Sequence, residues 1–576
     1  MNIHALLVNR FTEALQEMGV ENAPVPVSRS ARPEFGEYQF NGAMALAKQL
    51  KQKPRDIAEK IVETVKLDDI ASKLEVAGPG FINVHLNDAW LSNQCELSLT
   101  DPRLGIAKSP EQNIVVDYSS PNLAKEMHVG HLRTTIIGDA VVKVLEFLGH
   151  NVIRQNHMGD WGTQFGMLLA HLSDKLQEEV AETALSDLED FYREAKVRFD
   201  EEEGFADRAR EYVVKLQGGD AQCLALWEKF IDVSIAHSEE VYDKLNVSLT
   251  RKDIMGESAY NEDLANVISD LKAKGIAVED QGAQVVFIPE LADKEGNPAV
   301  YIVQKSGGGY LYATTDLAAM RYRSGKLNAD RTLILTDARQ ALHFKQTEIV
   351  GRKAGFMKEE QTYEHCPFGM MLGSDGKPFK TRTGGTVKLV DLLDEAVERA
   401  GKLIAERDND LSEEELKEVA RKVGIGAVKY ADLSKNRTTD YMFNWDSMLS
   451  FEGNTAPYLQ YAYTRVKSLF RKAGVDMATM PVDITIVEKQ EHALAVLLMQ
   501  FEEVIGLVSR EATPHVLCTY LYDVASAFMT FYEACPMLKE GIEPQVRDSR
   551  LALSALVANT LKQGLTLLGI ETLEKM

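Results

Sequence analysis

The chain has 576 residues, too many for one domain, and about three or four domains are expected at this length. With 87 acidic against 64 basic residues its formal net charge is −23, which argues against a nucleic-acid partner unless basic side chains gather locally. The five cysteines are scattered without a C-x-x-C pair, and neither a signal peptide nor a membrane-length apolar run is recognisable, so we expect a cytoplasmic protein without disulfides, bound zinc or a membrane span.

The first predicted module covers residues 1–105 and mixes helices with strands. Ile3 and Leu7 belong to a helical repeat of apolar residues that forms one face of an opening helix. A turn at Gly78–Gly80 precedes the β-like run Phe81–Leu86. This module shows no pattern typical of catalysis, so we predict an accessory α/β domain.

A strand–turn–helix pattern follows and is repeated once. The apolar run Ile114–Tyr118 leads through a turn into a helix that opens at His131. A second β-like run, Val152–His157, leads through the glycine-punctuated loop Gly159–Gly162 into a helix from Gln164. Strand, helix, strand and helix in this order predict the first half of a parallel, doubly wound α/β sheet of the Rossmann type.

The junction between the first strand and its helix carries two histidines, in the sequence His128–Val129–Gly130–His131. The unpaired N–H groups and the positive dipole end of a helix N-terminus suit a phosphate. Two imidazoles three residues apart can face one ligand, and Gly130 lets a base or ribose approach the backbone. Two ordinary loop histidines are the alternative, but the flanking strand and helix favour a nucleotide site.

The doubly wound domain is predicted over residues 106–395, interrupted at about 175–300 by a charged and mostly helical insertion. Beyond the insertion we predict a hairpin turn at Ser306–Gly309, with Tyr310–Tyr312 as the run that follows it, and a further strand at Leu333–Thr336. Ligands of such sheets bind beyond the carboxyl ends of strands. Three polar residues fall near such ends, namely Asp117, Asp316 and Gln340.

A basic loop, Gly376–Gly385, lies between a β-like segment that ends near Leu372 and a helix that begins near Val390. Lysine, arginine and glycine in one loop suit the β- and γ-phosphates of ATP, whereas the alternative is a solvated loop without function. The cations concerned are Lys377, Lys380 and Arg382, with Lys125 able to add charge from the other side of the site.

From residue 410 onward the pattern is helical throughout, with apolar stripes such as Leu494–Ile505. Aromatic and basic residues recur in its earlier part, and aromatic faces can stack bases while Lys and Arg hold phosphates. Core packing is the alternative for each single tyrosine. The candidates for contact with RNA are Tyr430, Lys435, Asn436, Arg437, Tyr458, Tyr461 and Arg465.

The longest motif reads S-S-P-N-x-A-K-x-x-H-V-G-H-L-R and covers residues 119–133. Its core resembles the HIGH signature of class I aminoacyl-tRNA synthetases, and the whole string resembles arginyl-tRNA synthetases in particular. The basic loop occupies the position of the KMSKS loop of that class, although its sequence K-P-F-K-T keeps two lysines and lacks the methionine and both serines. The resemblance implies an enzyme that joins L-arginine to tRNA(Arg) through arginyl adenylate.

The resemblance also implies a division of the chain. Residues 1–105 would contact the tRNA elbow, residues 106–395 would form the catalytic domain, residues 396–450 would be a helical connection that contacts the stem, and residues 451–576 would be a helical anticodon-binding domain of the DALR type. ATP with Mg²⁺ is the expected co-substrate, with no metal held tightly by the protein, and we expect a monomer.

The same resemblance assigns roles to single residues. Catalysis is assigned to His128, His131, Lys125, Lys380 and Arg382. Binding of ATP is assigned to His128, Gly130, His131, Lys377 and Lys380. Binding of arginine is assigned to Asp117, Ser119, Asn122, Tyr312, Asp316 and Gln340, because carboxylates match the fixed fork of donors on a guanidinium.

Three other functions remain open at this point. Another class I synthetase, such as the cysteinyl enzyme, would share the histidine motif, but that enzyme needs zinc-spaced cysteines. A small-molecule nucleotidylyltransferase also begins a helix with H-x-G-H, yet it has no use for a long helical C-terminal segment. A non-catalytic, synthetase-like RNA-binding paralogue is the third alternative, and the intact pair of histidines argues against it.

Overall fold

The structure is a computed structural model that describes residues 1–177, 181–380, 387–407 and 411–576. It divides into two compact units. The terminal unit comprises Met1–Lys108, Ser450–Leu567 and Glu571–Met576, and the central unit comprises Ser109–Leu449 and Leu568–Ile570. The N-terminal module and the C-terminal helices, which the sequence analysis treats as separate domains, are therefore packed together in one unit.

The N-terminal part of the terminal unit is a four-stranded antiparallel sheet with helices. Its elements are α1 (Ile3–Glu17), β1 (Val27–Arg29), β2 (Tyr38–Phe40), α2 (Ala43–Leu50), α3 (Pro54–Thr64), β3 (Ala71–Ala77), β4 (Phe81–Leu86) and α4 (Asp88–Thr100). The strand order is β1-β2-β4-β3. The predicted apolar face of α1 is buried, and the predicted strand at Phe81–Leu86 is β4.

The central unit begins with the two predicted strand–helix pairs and continues into the insertion. These elements are β5 (Asn113–Asp117), α5 (Leu132–Phe147), β6 (Asn151–Gln155), α6 (Gln164–Gln177), α7 (Ala181–Leu185), α8 (Leu188–Glu201), α9 (Phe205–Gln217), α10 (Ala221–Leu245), α11 (Asn261–Ala273), β7 (Val278–Asp280), β8 (Ala283–Ile288) and β9 (Ala299–Gln304). A side chain at Gly138 would overlap Tyr118, so this glycine lets α5 pack closely on the end of β5.

The second half of the central unit returns to the sheet. Its elements are α12 (Tyr312–Gly325), β10 (Arg331–Ile334), α13 (Ala341–Ala354), β11 (Thr362–His365), β12 (Met371–Leu372), α14 (Leu389–Ala405), α15 (Glu413–Leu433), β13 (Tyr441–Met442) and α16 (Trp445–Met448). The main sheet is parallel with the order β11-β10-β5-β6. This confirms the predicted doubly wound sheet.

The strand order changes direction between β5 and β10, since the chain adds β6 on one side of β5 and later adds β10 on the other. The carboxyl ends of these strands are level, because Asp117 pairs with both Ile334 and Gln155. Ligand sites of open α/β sheets lie at such switch points. The two histidines follow β5 and therefore reach this edge.

The structure refines three predicted elements. The insertion is mostly helical as predicted, and in addition β7, β8 and β9 form an antiparallel sheet rich in β-branched residues at its end. The turn after β9 exists, with Lys305 donating to the Gly309 carbonyl at 2.8 Å, but Tyr312 begins α12 instead of ending a second strand. The segment after residue 410 is interrupted by β13, which pairs with β12.

The C-terminal part of the terminal unit is helical, with α17 (Ala456–Ala473), α18 (Lys489–Met499), α19 (Phe501–Glu511), α20 (Pro514–Ala534) and α21 (Pro544–Leu567). The stretch Lys489–Glu511 has a mean hydropathy of 1.4 and is long and apolar enough to cross a membrane by length and composition, which the sequence analysis did not anticipate. Since 61% of its most apolar window is buried in the fold, the signal is weak.

Within the terminal unit, His492 of α18 joins the helices to the N-terminal module. Its Nε2 lies 2.8 Å from Glu37 and its Nδ1 2.6 Å from Asp88. The bond to Glu37 raises the pKa of His492 to about 9, although burial opposes the rise. A raised histidine pKa adds stability below the unfolded value of about 6.5, and this stability is lost as the pH rises through the folded value.

We therefore predict that His492→Ala destabilises the chain by roughly 1–3 kcal/mol at pH 6, and by much less at pH 10, where the imidazole of the parent is neutral. Denaturant unfolding of the full chain at both pH values measures the difference. His4→Ala is the matched control, because His4 lies 2.8 Å from the Val27 carbonyl and has no carboxylate partner there. A difference that is the same at both pH values would contradict the prediction.

Candidate active site

A cavity of about 550 Å³ lies at the switch point of the parallel sheet. Its walls come from the turn after β5, the start of α5, the segment after β10 and the basic loop. Six of the predicted site residues line it, namely Ser119, His128, Gly130, His131, Gln340 and Lys380. A second cavity of about 620 Å³ is lined by residues of α6 and α8, and none of the predicted residues lines it.

The imidazoles of both histidines accept hydrogen bonds from backbone N–H groups of the same short segment. The backbone N–H of His128 donates to Nδ1 of His131 at 3.1 Å, and the N–H of Gly130 donates to Nδ1 of His128 at 3.0 Å. The two ring centroids are 4.2 Å apart. Because each Nδ1 accepts a hydrogen bond, the proton of each neutral ring sits on Nε2. Each histidine therefore offers one N–H donor.

Both imidazoles are neutral at physiological pH. Burial lowers the pKa of His128, and the nearby Lys125 lowers it further. Burial also lowers the pKa of His131 to about 3, with His128 adding to the effect. Neutral rings that donate from Nε2 can hydrogen-bond phosphate oxygens without a change of protonation.

The turn between β5 and the histidines is strained. Ser119 and Ser120 both have positive φ, +69° and +49°, which is unusual for two consecutive residues other than glycine. The turn is fixed because the N–H of Ser119 donates to Thr134 at 3.1 Å and the N–H of Ser120 donates to Asn156 at 2.9 Å. It keeps the cavity open directly beyond the strand.

Asp117, the last residue of β5, is already paired inside the protein. One carboxylate oxygen accepts from Arg323 at 2.6 Å and the other from the hydroxyl of Ser120 at 2.8 Å. Burial alone would raise the pKa of Asp117, but Arg323 and the neighbouring His157 lower it below its usual range. Asp117 is thus a buried, neutralised carboxylate beneath the crevice, and it is not among the residues that line the cavity.

Tyr312 and Asp316 lie one turn apart on α12, and neither is in the lining of the cavity at the histidines. Tyr312 is 70% exposed. One oxygen of Asp316 lies 2.5 Å from Nε2 of His343. Partial desolvation, followed by the charges of Glu257 and Asp316, raises the pKa of Tyr312; since most of its side chain is exposed, the shift chiefly supports the proximity of the two carboxylates. The structure therefore places an acidic group of side chains, Asp316 and Glu257, near the N-terminal turn of α12.

Glu257 belongs to this acidic group although no motif drew attention to it. The N–H of Glu257 donates to the Met158 carbonyl at 3.1 Å, which places it beyond the carboxyl end of β6. Burial raises the pKa of Glu257 to about 7; His157 opposes the rise, while Asp160 and Asp316 add to it. A carboxyl group that titrates near neutrality beside a second carboxylate is typical of a functional site.

Asn122 and Lys125 stand at the edge of the site. The side chain of Asn122 accepts from the N–H of Ala124 at 3.0 Å and from Gln164 at 3.1 Å, so it braces the loop beside the Gly159–Gly162 segment. The ammonium of Lys125 lies 4.3 Å from the centre of the Tyr192 ring. Neither residue lines the cavity, although the charge of Lys125 is felt by His128.

Of the predicted cations in the basic loop, Lys380 lines the cavity. Lys377 does not line it; its carbonyl accepts from the N–H of Gly373 at 2.8 Å, and its own N–H donates to Asp375 at 3.0 Å, in a tight turn. Arg382 lies outside the described residues.

The predicted RNA contacts divide between the two units. In the central unit Lys435 and Asn436 are exposed and Arg437 donates to the Pro367 carbonyl at 2.7 Å. Tyr430 has an exposed fraction of 0%, so the prediction that it contacts RNA is wrong; its ring packs in the core of α15, where no base can stack on it.

In the terminal unit the remaining candidates form a cluster on α17. Tyr458 and Tyr461 are half-buried, and a guanidinium nitrogen of Arg465 lies 3.4 Å from the Tyr461 hydroxyl. Two tyrosines of α20 complete it, since Tyr522 lies 5.6 Å from Tyr458 and the Tyr532 ring lies 4.8 Å from the Arg465 guanidinium. Half-exposed rings with a cation between them suit stacking of unpaired bases.

The sequence analysis missed His157, Glu257 and His343 as members of the site. His157 ends the run that contains β6, so the rule that ligands bind beyond strand ends could have identified it. Glu257 comes from the insertion and His343 from α13, and no local spacing connects them with Asp316.

No group of three His, Cys, Asp or Glu side chains that could hold a metal ion occurs among the residues the structure describes. The donors that line the cavity are imidazole N–H groups, hydroxyls, an amide, a lysine and two arginines, and its one carboxylate, Asp337, already accepts from Arg339 at 2.8 Å. This set suits anions rather than a resident metal ion. The residues therefore fit a divalent cation that arrives on a polyphosphate, and they do not form a cage for one.

Comparisons with family models cover most of the chain. The model for tRNA synthetases class I (R), catalytic domain, matches residues 95–445. The DALR anticodon binding domain model matches residues 459–576, and the arginyl tRNA synthetase N terminal domain model matches residues 5–86.

Full-length relatives and solved structures agree with these models. An arginine–tRNA ligase of Alteromonas mediterranea is 98% identical and one of Pseudoalteromonas atlantica is 76% identical, each covering 100% of both chains. The arginyl-tRNA synthetase structure from Plasmodium falciparum has 29% identity and a TM-score of 0.87, covering 100% of this chain and 99% of that one. The structure from Thermus thermophilus has 25% identity and a TM-score of 0.83, covering 100% of both chains.

Proposed function

The chain belongs to the arginyl-tRNA synthetase family of class I and is an arginine–tRNA ligase, and we propose that it uses the cavity between β5 and β10 to make arginyl adenylate. The observation that carries this proposal is the pair of neutral histidines whose Nε2 donors stand at a helix start in the cavity wall. In the first step the arginine carboxylate attacks the α-phosphorus of ATP and pyrophosphate leaves.

The work of the site in this step is electrostatic. His128 and His131 donate to phosphate oxygens where negative charge develops, with the N-terminus of α5 behind them. Gly130 is also assigned to ATP binding; a Cβ at this position would lie 2.6 Å from Cε1 of His128, so the glycine leaves room for that ring. Lys380 stabilises the departing pyrophosphate from the basic loop, and the other cations assigned to this task are Lys125, Lys377 and Arg382. Mg²⁺ bound to the polyphosphate would neutralise further charge.

Selection of arginine belongs to the acidic group on α12. Asp316 and Glu257 present carboxylates to the guanidinium fork, and Tyr312 covers its plane. Gln340 and Asp117 close the pocket, with the charge of Asp117 balanced by Arg323. The amino and carboxylate ends of the substrate are assigned to the turn after β5, through Ser119 and Asn122.

Glu257 makes arginine binding depend on pH. Because burial raises its pKa to about 7, Glu257 gains its negative charge as the pH rises from 6 to 8. We expect the arginine KM to fall about tenfold over this range, equivalent to about 1.4 kcal/mol. Asp160, Asp316, Tyr312 and His157 face the same carboxyl, and loss of the His157 proton would act in the same direction.

The variant Glu257→Gln distinguishes the contribution of Glu257 to this pH dependence from that of His157. This variant keeps the shape of the side chain and should show a nearly flat arginine KM between pH 6 and pH 8, while the ATP KM changes little in either protein. Steady-state pyrophosphate exchange at fixed ionic strength measures both constants. A slope in Glu257→Gln equal to that of the parent would remove Glu257 from the arginine pocket.

In the second step a hydroxyl of the terminal adenosine of tRNA attacks the activated arginyl group, and AMP leaves. No protein nucleophile is needed. We assign residues 1–105 to the tRNA elbow, residues 396–450 with Lys435, Asn436 and Arg437 to the stem side, and residues 451–576 with Tyr458, Tyr461 and Arg465 to the anticodon. The tyrosine cluster on α17 supports the last assignment. The enzyme would act as a cytoplasmic monomer that does not enter a membrane.

Aminoacylation of total tRNA with each standard amino acid in turn tests the function. Arginine alone should be esterified, with tRNA(Arg) as the acceptor. Charging with another amino acid would favour a different class I specificity, and no charging by the folded protein would favour the RNA-binding paralogue.

A further inference from the structure

The first turn of α5 contains an arginine that makes unusual contacts. Arg133 is 1% exposed and its Nε lies 3.2 Å from Asp432 of α15. Its Nη1 donates to the Thr439 carbonyl at 2.8 Å, and its guanidinium lies 5.2 Å from the centre of the Tyr441 ring. The histidine helix is thus fastened to the segment that contains β13.

The segment that contains β13 pairs with β12, the strand that precedes the basic loop. The N–H of Gly369 donates to the Arg437 carbonyl at 2.8 Å, and the N–H of Met370 donates to the Asp440 carboxylate at 2.6 Å. β12 and β13 then pair in parallel, and the N–H of Phe443 donates to the Leu372 carbonyl at 2.9 Å. The position of β12 is therefore fixed in part by the β13 segment, which Arg133 contacts.

The basic loop starts from β12. The N–H of Phe379 donates back to the Met371 carbonyl at 3.1 Å, and the Phe379 ring lies 4.9 Å from that of Phe443. Lys380 follows directly and, like the two histidines, lines the cavity. An unbroken series of bonds thus runs from Arg133 to Lys380.

The other end of the basic loop is attached differently. The N–H of Val129 donates to the Val387 carbonyl at 3.1 Å, and the N–H of Leu389 donates to the Met127 carbonyl at 3.0 Å. This attachment joins backbone directly to the histidine segment. The attachment before the loop combines backbone bonds with side chains, since the N–H of Phe368 donates to the Thr336 carbonyl at 3.3 Å and Arg437 donates to the Pro367 carbonyl at 2.7 Å. Within it, the side chain of Arg133 connects the segment of β13 to the histidine helix.

We propose that Arg133 is a positioning residue that sets the separation between the paired histidines and Lys380. Arg133 borders the cavity, but its guanidinium is engaged by Asp432, Thr439 and the Tyr441 ring, so in this role it acts through β13 and β12. An arginine suits the task because its planar fork binds a carboxylate and a carbonyl at once while stacking on a ring. The proposal rests on the proposed function of Lys380, and a misplacement of about 1 Å can cost about 10²-fold in rate.

The test is a double-mutant cycle on adenylate formation, measured as single-turnover consumption of ATP with arginine and tRNA present. The variants are Arg133→Met, Lys380→Ala and the double variant. Arg331→Met is the matched control, since Arg331 makes a two-pronged pair with Glu364, at 2.7 and 2.8 Å, at the opposite end of the sheet.

We expect Arg133→Met to lower the rate about 10–100-fold with the arginine KM unchanged. The double variant should be no slower than Lys380→Ala within about twofold, because residues that act as one unit are not additive. Arg331→Met should keep the parental rate.

Two results would overturn the proposal: multiplied effects in the double variant, or a raised arginine KM in Arg133→Met. If Lys380→Ala alone keeps the parental rate, the proposed function of Lys380 is wrong. This result is distinct from the two results above, which contradict only the positioning role of Arg133. If Arg133→Met does not fold, the same cycle is run with Arg133→Lys, which retains a charge beside Asp432 and loses the bond to Thr439.

Discussion

Replacing His131 with alanine is expected to slow arginyl adenylate formation by ~10²–10³-fold, the usual cost of losing one donor to a developing charge. The reason is the geometry of Nε2, which is free to donate because Nδ1 accepts from the N–H of His128 at 3.1 Å. The substrate KM values should change little, since the lost bond strengthens only in the transition state. ATP–pyrophosphate exchange, with and without added tRNA, measures the effect.

His150→Ala provides the control, because His150 is half-buried in the same unit and does not line the cavity. It should retain the parental exchange rate. The maximal rate of the parent should also show no titration of His131 between pH 6 and pH 8, since burial lowers the pKa of His131 to about 3. An unchanged rate in His131→Ala would take this residue out of the mechanism.

Asp316→Ala is expected to raise the arginine KM by ~10²–10³-fold while the ATP KM changes less than about threefold. Removing one partner of a fully buried ion pair costs roughly 3–5 kcal/mol, so about 3–4 kcal/mol is expected for the half-buried Asp316, and each 1.4 kcal/mol is a factor of ten. Asp316 is half-buried and one of its oxygens contacts His343 at 2.5 Å, so we expect its other oxygen to accept from the guanidinium of arginine. Initial-rate exchange measurements with each substrate varied separate the two constants.

Asp316→Asn adds a sharper comparison, because the amide keeps the shape and removes only the charge. Its arginine KM should lie close to that of the alanine variant. Asp391→Ala, an exposed position in the first turn of α14, is the control and should behave as the parent. Equal increases in the arginine and ATP constants would remove Asp316 from the arginine pocket.

The part of the site that the sequence predicts is local in the chain. The strand before Ser119, the turn and the helix after His131 follow one another within about twenty residues, so the periodicity of apolar residues and the turn chemistry are enough to find them. The order of strands and helices then implies the carboxyl edge of the sheet, where the structure has the histidine cavity.

The part that sequence reasoning could not predict depends on contacts between distant segments. Arg323 neutralises Asp117 from a helix more than 200 residues later, and nothing in either neighbourhood announces the pair. Tyr430 is an aromatic residue of the kind that stacks on RNA bases, but the packing of α15 buries it. The role of Arg133 depends likewise on Asp432 and Tyr441, which only the folded chain brings beside it.

The most direct test is a crystal structure of the protein with a non-hydrolysable ATP analogue and L-arginine. We expect phosphate oxygens within hydrogen-bonding distance of Nε2 of His128 and His131, and the guanidinium beside the carboxylate of Asp316. Ligands that occupy another part of the chain, with the two imidazoles facing solvent, would contradict the account.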